Sequence, residues 1–288
     1  MLEGKVVLIT GAAHGLGLAY ALAAGGAGAA VVAMDVDEEH LDETVSGVRS
    51  AGGTCEPFVG SVDEWDVAAA AVDLAVRRFG RLDGLVNNAA IFNTGLATAE
   101  TEERLRNIVH VNILGVLYVG THALRVMSEQ GSGSIVNVTS AARGGREQMS
   151  AYGATKGAVV SATYSWALEA REHGVRVNAV APRALTRMIS QGRASSGHLP
   201  PQAVAPLVVF LLSDAAVGIQ GQVVHFDGER LALATAPRWV ARVSHTGAWT
   251  AEAIAEAFDT RLRDELQPVG WPGGAVSDES AASLAAGA

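Results

Sequence analysis

The stretch KVVLITGAAHGLG, Lys5 to Gly17, decides the fold. Lys5 to Thr10 is an aliphatic, β-branched run without polar alternation, the pattern of a strand covered on both faces. Three glycines follow, at Gly11, Gly15 and Gly17, and Leu16 to Ala24 has helical composition. Such a junction turns a strand sharply into a helix while its backbone lies against a pyrophosphate, and side chains would block both. The helix N-terminus then offers unpaired N–H groups and a positive dipole end to the phosphates. Glycine turns also occur with no ligand, so the context matters: a strand before, a helix after, and an acid, Asp35, at the end of the second strand, 18 residues beyond Gly17. A carboxylate there accepts bonds from both ribose hydroxyls of an adenosine and repels a 2′-phosphate, which favours NAD over NADP. His14 and Lys5 are the only basic groups nearby, and His14 reads as a polar loop residue lining the same cradle with Gly11, Gly15, Leu16 and Gly17.

The same alternation continues outward. Ala30 to Asp35, Leu82 to Asn87, Ser134 to Thr139, Val175 to Val180 and Gln222 to Phe226 read as strands. Glu38 to Ala51, Val67 to Phe79, Glu103 to Leu124, Ala151 to Glu172 and Gln202 to Leu212 read as helices between them. Near-continuous apolar strands with crossover helices predict an α/β fold of Rossmann type, a doubly wound parallel sheet in a single domain over 1–233. An extension over 234–271 carries one predicted helix, Ala251 to Leu266, with Thr250 as its N-cap. The Gly, Ala and Ser of 272–288 predict a disordered tail. Arg187 to Pro201 is rich in Ser, Gly and Pro without apolar period and is a candidate lid.

Composition narrows the function classes. The 288 residues are 49% hydrophobic and 18% charged, with a mean hydropathy of +0.23, so the chain has ample apolar surface for a large core. Its 33 glycines against 5% aromatics suit close packing of thin helices on a β-branched sheet. The net charge of −9 provides no basic face for a phosphate backbone or an anionic membrane, which argues against nucleic acid and membrane as partners. The single cysteine, Cys55, has no partner for a disulfide, reads as a small buried apolar residue, and fits a reducing cytoplasm. No export signal and no uninterrupted apolar run near the roughly 18 residues of a membrane span is visible. No His, Cys and Asp cluster has ligand spacing, so no metal is expected.

The candidate chemistry lies further along. Tyr152 and Lys156 are four residues apart in a helical segment, so both side chains leave one face. A phenol with a pKa of about 10 is a poor acid or base at neutral pH, and an adjacent ammonium favours its phenolate. Ser140 ends the strand SIVNVT, at the carboxyl edge of the sheet where α/β folds hold their ligands. Asn112 is a polar residue within VHVNILGVLYVG; its side chain either bonds a neighbouring carbonyl or anchors a water.

Taken together, TGAAHGLG from Thr10, NNAA from Asn87, Asn112, Ser140, YGATK from Tyr152 to Lys156, and VNAVAP from Val177 followed by Thr186 resemble the classical short-chain dehydrogenase/reductase superfamily over positions 1 to about 230. The resemblance implies that Tyr152 is the general acid/base, that Ser140 holds the substrate carbonyl, and that Lys156 binds the nicotinamide ribose and lowers the tyrosine pKa. It implies that Asn112 holds the water of a proton relay, that Asn88 and Pro182 line the cofactor groove, and that Thr186 bonds the carboxamide. Ser61, before Val62, stands where an Asp often meets the adenine amino group. The segments from Ala181 and Val204, and the continuation through Trp249, look like the (3R)-hydroxyacyl-CoA dehydrogenase unit of multifunctional enzymes and its bacterial relatives, some of which act on steroids. Ala90 replaces the last glycine of the usual Asn-Asn-Ala-Gly, and Arg183 follows Pro182 where many members have Gly.

The expectation is therefore an NAD-dependent oxidoreductase that interconverts a secondary alcohol and a ketone as a homodimer or homotetramer. The alternative is a catalytically silent dinucleotide-binding sensor or scaffold, for which an intact Ser, Tyr, Lys and Asn set has no use. An acyl-CoA would call on Arg143, Arg146, Arg187 and Arg193; a steroid or polyketide-like ketone on Met149, Met188, Ile189 and Leu199.

Overall fold

The computed structural model of the protein describes residues 1–184, 199–234, 241–246 and 248–266. Thr186, the lid candidates Arg187, Met188, Ile189 and Arg193, and the tail 272–288 lie outside the described residues.

By its internal contacts the chain forms two units, Met1–Ala234 and Thr235–Ala288. The first is built on an eight-stranded sheet in the order β3-β2-β1-β4-β5-β6-β7-β8. Its strands are β1 Val6–Thr10, β2 Ala30–Asp35, β3 Thr54–Val59, β4 Gly84–Asn87, β5 Gly133–Val138, β6 Val175–Pro182, β7 Val223–Phe226 and β8 Leu231–Leu233. All neighbours are parallel except β7 and β8, which form an antiparallel hairpin. The order reverses direction between β1 and β4, so the crevice of a doubly wound fold opens beyond the carboxyl ends of those two strands.

β1 illustrates why an unalternating apolar run becomes a central strand. Val7 and Ile9 enter the core on the face covered by α1 (Gly15–Gly26), α2 (Glu38–Ser50) and the helix Ala205–Leu212. Val6 and Leu8 enter the core on the other face, under α3 (Trp65–Phe79), α5 (Gly115–Gln130) and α6 (Ser150–Ala170). Both faces are closed, and all five residues of β1 are buried. β3 was not among the predicted strands, because Pro57 interrupts its run. The strand occupies the sheet edge, pairing only with β2, where a residue without N–H is tolerated.

The predicted helix from Glu103 is longer and not uniform. α4 (Glu102–Val109) passes through a π-turn, His110–Leu114, into α5. By length and composition this 29-residue span, which holds an 18-residue window of mean hydropathy 1.3, is apolar enough to cross a membrane. Its apolar residues Val116, Val119, Ala123 and Met127 are at most 4% exposed and belong to the core against the sheet.

In the second unit the predicted helix begins at Ala251, where the Thr250 hydroxyl accepts from the Ala253 N–H at 3.2 Å. It is regular to Ala257 and continues as a π-turn, Phe258–Leu262, and a 3₁₀ turn, Arg263–Glu265.

Leu8 is fully buried between β-sheet and helices. Leu8→Ala is expected to lower the unfolding free energy by about 2–5 kcal/mol. Urea denaturation checks this, and a loss below about 1 kcal/mol would contradict a close-packed second face.

Candidate active site

Because the sheet is parallel, the carboxyl ends of β1, β4, β5 and β6 share one edge. That edge gathers the glycine loop, Asn88, Ser140 and Pro182. The loop is pinned first. The Thr10 hydroxyl accepts from the N–H groups of Asn88 and Ala89, each at 3.0 Å. The Asn88 amide returns two bonds, to the carbonyls of Thr10 at 3.0 Å and Gly11 at 3.1 Å. Gly11 has φ +66°, and a Cβ there would lie 2.8 Å from the Ala89 Cα. A Cβ on Gly17 would overlap the Gly11 carbonyl oxygen. α1 starts at Gly15 with no side-chain cap from His14, whereas α2 and α4 are capped by the side chains of Asp37 and Thr101. Its first-turn N–H groups therefore have no side-chain acceptor at the loop.

Asp35 ends β2 beside this loop. Its Oδ2 accepts from the Ala13 N–H at 2.9 Å, and its Oδ1 from the N–H groups of Val36 at 2.8 Å and Asp37 at 3.1 Å. Three of roughly four acceptor positions are used, so the carboxylate also fixes the shape of the loop. The Ser61 hydroxyl donates to the Asp63 carboxylate in a short bond. Val62 is 7% exposed and packs in the core against α5, so its side chain is a packing group. Leu16 is half-buried against the α1 face of the core.

The polar residues read as catalytic converge around the start of α6. Ser140 extends from β5, and its Oγ accepts from the Ala142 N–H at 3.2 Å. Ser140 draws the Tyr152 phenol pKa down. Burial is the larger effect and leaves that pKa above the ordinary value. Phe92 closes one side of Tyr152, edge-on with ring centroids 4.9 Å apart. Lys156 is 2% exposed; its Nζ donates to the Val138 carbonyl at 2.9 Å and lies 5.7 Å from the Tyr152 ring centroid. Desolvation pushes its pKa down to about 8.

Asn112 sits in the π-turn, fully buried. Its Oδ1 accepts from the Ile91 N–H at 2.8 Å, and its Nδ2 donates to the Ile91 carbonyl at 2.9 Å and to the Thr155 hydroxyl at 3.2 Å. Thr155 in turn donates to the Tyr152 carbonyl at 2.8 Å. The carbonyl bond of the first reading is present, on the loop segment after β4 that carries Phe92. Thr10 and Thr155, which fix the loop and the tyrosine helix, had no individual role in the sequence reading. Their signal was only their place inside the two motifs.

One grouping escaped the sequence altogether. His14 Nε2 lies 2.7 Å from Asp37 Oδ2, and His40 Nδ1 lies 3.0 Å from the same carboxylate. Linear spacing showed no such cluster because the loop after β1 and the start of α2 meet only in the fold.

The family described as short chain dehydrogenase matches residues 5–195. The chain is 37% identical over 240 residues to the 3-oxoacyl-(acyl-carrier-protein) reductase FabG of Thermotoga maritima, covering 79% of this chain and 98% of that protein. A crystal structure of a short chain dehydrogenase from Mycobacterium avium superposes with a TM-score of 0.86 at 30% identity, covering 95% of this chain and 99% of the other. An NAD⁺-bound xylitol dehydrogenase gives a TM-score of 0.74 at 27% identity, over 79% and 99% of the two chains. These relatives do not single out the (3R)-hydroxyacyl-CoA dehydrogenase unit or the steroid enzymes, so the narrower resemblance is not shown.

The Lys156 ammonium gives a stability prediction. Its folded pKa lies below the unfolded value of 10.5, so between about pH 8 and 10.5 the unfolded chain holds a proton that the folded chain has released. Stability therefore rises with pH in that window, on the order of 1.4 kcal/mol for each unit crossed. Lys156→Met should lose this rise in denaturant melts at pH 8 and 10; parallel curves for both proteins would overturn the assignment.

Proposed function

The chain belongs to the short-chain dehydrogenase family and is an oxidoreductase acting on CH–OH groups, and from that premise we propose that it interconverts a secondary alcohol and a ketone with NAD. The observation that carries the reading is the buried Lys156 ammonium 5.7 Å from the Tyr152 ring centroid, at the start of the helix that follows Ser140.

The residues fit a dinucleotide. Gly11 and Gly17 leave room where a Cβ would overlap backbone, α1 starts without a side-chain cap, and Asp35 retains acceptor capacity beside the loop. NAD would be held by Gly11, His14, Gly15, Leu16 and Gly17 at the phosphates, Asp35 at the adenosine ribose, the backbone of Ser61 and Val62 at the adenine, and Asn88, Tyr152, Lys156, Pro182 and Thr186 toward the nicotinamide. When bound, it supplies the hydride acceptor or donor.

The protein side of the reaction is proton handling. Tyr152 Oη gives a proton to the carbonyl oxygen in reduction and takes it from the hydroxyl in oxidation. Ser140 Oγ holds that same oxygen, and its influence on Tyr152 partly offsets the burial that disfavours phenolate. Lys156 contributes positive charge in a site of low dielectric, where it acts more strongly than in water. Asn112, through Ile91 and Thr155, holds two sides of the tyrosine site in register and would anchor the water of a proton relay. Phe92 supplies an apolar wall beside Tyr152, which suits a carbonyl with an apolar substituent, whether a 3-ketoacyl thioester, a steroid or a polyketide-like ketone. The protein is read as a cytoplasmic homodimer or homotetramer paired through α4–α5 and α6.

Tyr152→Phe is expected to abolish ketone reduction across such a panel while NADH still quenches protein fluorescence with near-normal affinity. Near-normal turnover would refute the proton role. For Asp35→Ala, the ratio of kcat/KM with NADH to that with NADPH should fall by at least about tenfold, because the group that repels a 2′-phosphate is gone. An unchanged ratio would reject Asp35 as the selector.

A further inference from the structure

We propose that His14, Asp37 and His40 form a binding site for a divalent transition-metal ion of the zinc class, beside the glycine loop and separate from the proton chemistry at Tyr152. Among the described residues, this is a group in which two imidazole nitrogens and a carboxylate oxygen all lie within 4.8 Å of one another.

The donors come from two elements that the fold locks together. His14 precedes α1, Asp37 is the N-cap of α2 and accepts from the His40 N–H at 3.3 Å, and His40 lies in the first turn of α2. Around them, the Ala13 N–H bonds Asp35, and the fully buried Thr44 hydroxyl donates from α2 to the Ala12 carbonyl at 3.0 Å. Loop and helix are thereby joined on both sides of the cluster, which holds its donors on backbone that cannot drift independently.

The hydrogen-bond pattern is what a metal would replace. A carboxylate only accepts, so Nε2 of His14 and Nδ1 of His40 both turn an N–H toward Asp37. Tautomer exchange in each neutral ring moves that hydrogen to the far nitrogen and leaves three lone pairs converging on one point. The rings are 4.2 Å apart and inclined at 57°, so they approach the carboxylate from different directions rather than stacking over it. An ion bound at about 2.0–2.1 Å from each ligand needs donors roughly 3.3 Å apart. The two hydrogen-bonded pairs, at 2.7 and 3.0 Å, must open by roughly half an ångström. The side chains are 27%, 36% and 40% exposed, which allows that movement and leaves one face open for water as a fourth ligand.

Two imidazoles and one carboxylate select zinc and its neighbours over magnesium or calcium, which take oxygen cages. The surroundings are negative: Glu38 and Glu39 lie in the first turn of α2, and Glu39 and Glu43 act electrostatically on His40.

The test is metal binding by the full chain, stripped with a chelator and titrated calorimetrically with ZnCl₂ at pH 7.5. One ion per chain is expected, together with visible absorption of a bound-cobalt form. His40→Ala and Asp37→Asn, the latter keeping an oxygen to cap α2, should each weaken zinc by at least about tenfold. His173→Ala, in the exposed turn after α6, should change nothing. Circular dichroism confirms that each variant is folded. Absence of stoichiometric zinc, or equal affinity in folded His40→Ala and Asp37→Asn, overturns the site. Because the readout is binding, either result leaves the Tyr152 reading to its own test.

Discussion

Everything at the sheet's working edge depends on one clamp between two strands that are far apart in sequence. Thr10 at the end of β1 receives two N–H groups from the chain leaving β4, and Asn88 returns two bonds to the carbonyls of Thr10 and Gly11. These are the backbone groups that lose their ladder partners where the sheet ends, and buried groups of that kind cost about 1–3 kcal/mol each when unpaired. Satisfying them across the reversal in strand order draws the glycine loop onto β4. The missing side chains of Gly11 and Gly17 are then a steric requirement of the clamp itself, and a groove for a dinucleotide follows from it.

A second set of constraints fixes the proton site. Thr139 donates to the Lys156 carbonyl while Lys156 donates back to Val138, so α6 is stitched to the end of β5. Deeper in, Asn87, Asn137 and Thr163 form a buried relay from β4 through β5 to α6. Burying an ammonium opposes folding at neutral pH, and the same burial opposes ionisation of Tyr152. Position and electrostatics are thus set by one geometry: the packing that aligns the pair also moves both pKa values away from those in water.

Much of this was legible in the sequence. The central strands declare themselves because both faces are covered and their residues are mostly apolar, and the glycine loop because its spacing serves backbone approach. The site motifs are local, four residues apart on one helix or at the end of one strand. What was not legible is what depends on tertiary placement. Pro57 hides an edge strand that only the sheet's border permits. Asp35 and Asn112 carry structural bonds to Ala13 and Ile91 that no spacing announces. The cluster at Asp37 needs two histidines 26 residues apart, brought together by a β–α–β turn.

The π-turn at Asn112 has a consequence for how this chain can vary. A π-turn holds one residue more than the α-helix it interrupts. Removing a residue from the regular winding of α4 or α5 rotates everything beyond it by about 100°, whereas the wide turn takes up its extra residue with little change of phase. A deletion within His110–Leu114 therefore restores regular winding and leaves Val116, Val119, Ala123 and Met127 facing the core. What it removes is the placement of Asn112, whose bonds to Ile91 and Thr155 depend on the widened turn. The extra residue is slack that the core does not need and the tyrosine site does.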